Sequence, residues 1–230
     1  MSTNSPLRTR ISLLMLPLAG LLAVVGLAMR GPFGNPSVNP SAFAQSAASA
    51  GFASGWVIIL LGTLVRLYSL MVLYSLLAQN RAGWLVFSGM LLSFISEALF
   101  LSLTGFLAFA APVAAKLLLQ GDAHMQSVLM AGFFSGPVLS LLYPSGLIGT
   151  IGSIFFGIAI WRSDLPMWAG VMYSLTTPLL AFAPAFSYPL EFLGGLLLLA
   201  STTGIAAASW RYAVRKPVPD AGQSSMIGQA

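Results

Sequence analysis

Arg66 and Glu97 are the two residues placed where chemistry would be least expected. Each interrupts a long apolar stretch, 56–77 and 84–111. Arg66 lies about 11 residues, or ~16 Å, from either end of its stretch at 1.5 Å per residue. Its head therefore cannot easily reach water by snorkelling. If both stretches are helices joined by the polar break 78–83, Arg66 precedes the centre of that break by about 14 residues and Glu97 follows it by about 16. The two then stand within ~3 Å in depth. A lone charge at the bilayer centre costs ~3 kcal/mol on insertion scales, and pairing offsets much of that. Gly62, Thr63, Arg66 and Ser69 share one helical stripe, and Gly89, Ser93, Ser96, Glu97 and Thr104 form a matching one. Their hydroxyls can satisfy leftover donors and acceptors. Two uses follow from the residue types: an ion pair that fixes helix register, or a site at the bilayer midplane for a small molecule, an ion or a proton, with Ser93, Ser69 and Thr63 beside it.

Other chemistries lack their parts. The chain has no cysteine and one histidine, His124, so cysteine-held zinc, iron–sulfur clusters and a bis-histidine haem are excluded. No G-x-S-x-G nucleophile motif accompanies His124. A non-enzymatic protein without metal or cofactor is expected.

The elements that must position Arg66 and Glu97 follow from composition. Of 230 residues, 57% are hydrophobic and 7% charged, with a mean hydropathy of +0.90. Soluble domains carry roughly a quarter charged residues, so lipid is the solvent here. Spans need about 20 apolar residues, and the sequence predicts an all-α bundle of six, at about 11–29, 56–77, 84–111, 127–161, 165–183 and 189–210. A cytoplasmic N-terminus, 1–10, precedes the 11–210 transmembrane domain, and a disordered polar tail, 211–230, follows it. The fourth stretch is too long for one straight span. It reads as one long helix projecting past the bilayer, or as one kinked or broken near Gly136-Pro137 or Tyr143-Pro144. The first run outlasts a typical leader's apolar core, and the small-x-small site 42–44 lies well beyond it, so it is read as a span.

Positive charge orients the bundle. With the N-terminus inside, Arg8, Arg10, Arg81, Arg162, Arg211, Arg215 and Lys216 are inner, whereas only Arg30 and Lys116 are outer. This bias favours an even number of spans with both termini cytoplasmic. The same loop charge accounts for the net +5, so no nucleic-acid partner is expected. Trp56, Trp84, Trp161, Trp168 and Trp210 all fall at predicted span ends, as interfacial rings do.

Small residues recur at four-residue spacing, as Ser145, Gly149, Ser153 and Gly157, and again as Ala200, Gly204 and Ala208. Such faces let helix backbones approach within a chain, between copies of it, or toward a partner subunit. Glu191 complements the N-terminal dipole of the last span. Asp164, ahead of Leu165-Pro166, reads as a helix N-cap, and Asp122 and His124 as solvated loop residues.

The run from Gly157 to Gly170, GIAIWRSDLPMWAG, resembles a stretch in a family of uncharacterised bacterial six-span membrane proteins. There a G-I-A-x-x-R-S span end is joined through P-x-W-A-G to the next span. The resemblance implies a bacterial inner-membrane location and no particular chemistry. Together these features predict a membrane subunit or scaffold packed through small-residue faces around Arg66–Glu97. The alternative is a transporter or sensor that uses the same two residues.

Overall fold

The computed structural model describes residues 6–34, 39–78, 83–129, 131 and 137–215. The loop holding Arg81 and the tail from 216 onward lie outside them. Helices α1 (Pro6–Arg30), α2 (Pro40–Ala47), α3 (Ala50–Leu77), α4 (Gly83–Gly105), α5 (Ala111–Leu119), α6 (Ala123–Leu129), α7 (Pro137–Trp161), α8 (Met167–Phe182) and α9 (Tyr188–Arg215) follow in order, and the described residues include no strand. Among the described residues, five stretches are long and apolar enough to cross a membrane; α8, with 16 residues, is apolar but shorter.

Local sequence sets several boundaries. Asn39 caps α2, its Oδ1 accepting from the Ala42 amide at 3.0 Å, with Pro40 in the first turn. Ser49 Oγ accepts from the Phe52 amide at the start of α3. Between α4 and α5 a π turn, Phe106–Ala110, absorbs the chain ahead of Pro112, which has no amide proton to donate. The expected third span therefore continues as helix from Gly83 to Leu119, 37 residues and about 55 Å. Within the fourth stretch, α6 ends at Leu129 and α7 begins at Pro137; the join between them, where one long helix and a broken one would differ, lies almost wholly outside the described residues. Asp164 does not cap α8. Pro166 occupies that position, and the nearby Ser163 Oγ instead accepts from the Leu165 amide.

Six helices close a ring. Around it, α3 packs on α1, α1 on α9, α9 on α8, α8 on α7, α7 on α4 and α4 back on α3. Helix α1 runs antiparallel to both neighbours: Gly55 faces Arg30 while Ser69 reaches Met15, and Leu27 faces Gly195 while Gly20 faces Leu199. The first and last helices thus begin and end at the same end of the bundle. Trp84, Trp161, Trp168 and Trp210 stand exposed at that end. Trp56 differs: it lies at the opposite end and is buried.

Two apolar cores fill the ring. Leu13, Leu16, Leu73, Val86, Phe156, Tyr173 and Ile205 belong to the one nearer the termini. Leu27, Phe43, Phe52, Trp56, Leu103, Ala111 and Ala115 belong to the other, which includes α2 and α5. On α3, Arg66 falls between Ile59 of the second core and Leu70 of the first. On α4, Glu97 falls between Leu103 and Val86. The charged pair is a polar layer between two hydrophobic ones.

Candidate functional site

Arg66 Nε lies 3.1 Å from Glu97 Oε1, with the side chains 14% and 7% exposed. The register argument brings these residues together because consecutive antiparallel helices place equal distances from their loop at equal depth. A third helix joins them: the terminal Nη2 of Arg66 donates to Thr177 Oγ1 on α8 at 3.1 Å, and Tyr173, one turn earlier, stands beside both charges. The pair therefore ties α3, α4 and α8 across the ring. Arg66 Nε, despite its proximity to Glu97, has no aligned hydrogen bond, and on α7 the buried Thr150 Oγ1 has no partner either.

The remaining candidates serve packing. Thr63 Oγ1 donates to the Ile59 carbonyl of its own helix. Ser69 Oγ donates to both the Val65 and Met15 carbonyls, which links α3 to α1. Ser93 and Ser96 press against α7, where a Cβ on Gly152 or Gly149 would collide with them. Of the five polar candidates, only Arg66 and Glu97 contact one another.

The stripe on α7 is used within the chain. Gly149 meets Ser96 and Thr177, Gly157 meets Ser174 and Gly170, and Ser153 Oγ reaches the Ser174 carbonyl at 3.3 Å; Ser145 Oγ turns back to the Leu142 carbonyl. On α9, Gly204 seats the ring of Trp168, whereas Ala200 faces outward and Ala208 is half-buried. His124 and Asp122 are exposed; Asp122 Oδ1 accepts from the His124 amide.

A second charged pair lies at the end opposite the termini. Arg30, expected in an outer segment, is the last residue of α1 and is buried. Its Nη2 donates to Glu191 Oε2 at 2.5 Å, with side chains 1% and 7% exposed, and its Nε donates to the Gly31 carbonyl. The guanidinium lies over Phe33, Trp56 and Tyr188, 4.6, 5.0 and 5.9 Å from the ring centroids. Desolvated cation–π contacts of this kind contribute about 2 kcal/mol. Tyr188 also donates from its hydroxyl to the Leu27 carbonyl at 2.8 Å. Glu191 sits in the first turn of α9, as expected, but its partner is an arginine as well as a helix dipole. Both glutamates of the chain are thus buried against arginines.

Fold and site define a class: a predominantly apolar helical bundle with its strongest charges turned inward, suited to a lipid bilayer. No protein-family model, curated protein or solved structure matches the chain.

Proposed function

We propose that the chain is a six-span integral membrane protein of the bacterial inner membrane, with both termini cytoplasmic, akin to the uncharacterised family that its 157–170 segment resembles. Its proposed role is that of a non-enzymatic subunit or scaffold, which associates with another membrane chain or with a second copy. Helix α8 counts as the sixth span. Its 16 residues rise about 24 Å, and the 3₁₀ turn Ala183–Ala185 extends it. The observation that carries the structural role is the Arg66–Glu97–Thr177 contact, which joins three helices through nearly water-free charges.

Thermal stability of the detergent-solubilised protein tests this. Arg66→Ala and Glu97→Ala each strand a buried charge and should cost about 3 kcal/mol, while the double variant recovers part of the loss. A stable Arg66→Glu/Glu97→Arg swap would complete the case for a register device. Single variants as stable as the parent would mean that the charges serve something other than folding.

That outcome would favour a second reading, a small-molecule or ion transporter or sensor. The buried Thr150 Oγ1, which lacks a partner, supports it, because a buried polar group left unsatisfied is where a polar guest is best accommodated. Stabilisation by a small anion, lost in Arg66→Ala, would establish it.

A further inference from the structure

At the end of the bundle that carries the termini, the charges are arranged differently from those in its interior. Arg10, Arg162 and Arg211 are exposed there, and Asp164 is the only carboxylate among the described residues at that end. Arg8 and Arg215 occupy helical positions at the same end. Arg10 and Arg211 form no ion pair among the described residues, although the two buried arginines both do. Arg10, at the start of α1, instead lies over the Trp210 ring near the end of α9, 5.5 Å from its centroid. Stacking on an indole face restrains a guanidinium while leaving its N–H edge free for a two-pronged acceptor. Arg211 follows Trp210 directly in α9, so two exposed arginines without ion pairs stand at the adjoining ends of α1 and α9.

The surface leading away from this pair is unusual. The outward-facing residues of α9 run Leu196, Ala200, Thr203, Ala207, Trp210, at alternating steps of four and three. Between Leu196 and Trp210 every one is small, whereas elsewhere most outward positions of the long helices hold large apolar side chains. The ring of Trp168, packed on Gly204, walls one side of this trough. Fourteen residues of helix give it a length of about 21 Å, more than the ~15 Å hydrocarbon depth of one leaflet.

We infer that this end of the bundle binds an anionic phospholipid, its phosphate held by Arg10 and Arg211 and one acyl chain lying along Ala207, Thr203 and Ala200. Unpaired positive charge at headgroup depth selects the anion, and the apolar trough distinguishes a lipid from a free phosphate ester. The site is independent of the role proposed for Arg66 and Glu97.

Native mass spectrometry of the full chain, in micelles containing either dioleoyl phosphatidylglycerol or dioleoyl phosphatidylcholine, tests the assignment. The parent protein should retain phosphatidylglycerol preferentially. Arg10→Gln/Arg211→Gln should bind it about thirty-fold more weakly, at roughly five-fold per cation. Arg162→Gln, at the same end but outside the pair, should bind as the parent does. Ala207→Leu fills the trough, keeps both arginines, and should also lower retention. Equal retention of both lipids, an equal loss in Arg162→Gln, or full retention by Ala207→Leu would overturn the site. So would displacement of the lipid by millimolar glycerol 3-phosphate, which would make the ligand a soluble phosphate ester.

Discussion

Arg30 shows how much a membrane protein can ask of one side chain. Three aromatic rings, a carboxylate and a carbonyl surround it, and only a planar guanidinium can both stack and bond within its plane. Arg30→Ala should lower stability by about 3 kcal/mol in a detergent melt, because Glu191 is left buried and unpaired. Arg30→Lys should recover little, since an ammonium cannot lie flat between Phe33 and Trp56. A melt of Arg30→Lys matching the parent would reduce the contact to simple charge. At this scale the sequence was legible only in part. Arg66 and Glu97 flank one short loop, so counting residues is enough to pair them. Arg30 and Glu191 belong to the first and last helices, and no loop length relates those. The unused signal was number: the chain has two glutamates, both within apolar stretches and each in need of a partner.

Among the elements, α4 and α7 make a contact that leaves no room for a side chain at Gly152. A Cβ on Gly152 would stand 2.8 Å from the Ser93 amide nitrogen and 3.1 Å from the Gly89 carbonyl oxygen, both backbone atoms that cannot swing aside. Gly152→Ala should therefore push the helices apart and cost about 1–3 kcal/mol, whereas Gly105→Ala, in open space, should be neutral or stabilising. Equal melting temperatures for the two variants would contradict this packing. Gly55→Ala would act at a distance: its Cβ would lie 2.7 Å from Arg30 Cα and would shift the guanidinium in its aromatic setting. Hydropathy located the helices well, since apolar length is read directly from sequence. Their ends were harder. Pro112 reads as a stop, yet a π turn carries the helix through it. Asp164 reads as a cap, but Pro166 fixes a later start.

At the level of the whole molecule, ring closure between α1 and α9 places the start of α1 and the end of α9 at one end of the bundle. This predicts that Asp164 and Gln120 face opposite sides of the membrane. The chain is free of cysteine, so Asp164→Cys and Gln120→Cys can each be labelled without further changes. In spheroplasts, a membrane-impermeant maleimide should modify the cysteine at 120 directly and the one at 164 only after permeabilisation. Labelling of both from outside would break the six-span arrangement. The proposed orientation rests on loop arginines, because the inside bias counts residues and needs no contacts. The ring order was not, since adjacency between distant spans depends on which faces fit.

The clasp between Arg30 and Glu191 also sets a timetable for biogenesis. Its partners are 161 positions apart, and at 5–20 residues per second the ribosome needs about 8–32 s to pass from one to the other. Arg66 and Glu97, only 31 positions apart, are separated by about 2–6 s. The central pair can therefore form while the chain is still emerging. The opening helix, by contrast, waits with an unneutralised arginine until the final one arrives. A nascent chain arrested before Glu191 leaves that arginine without its carboxylate.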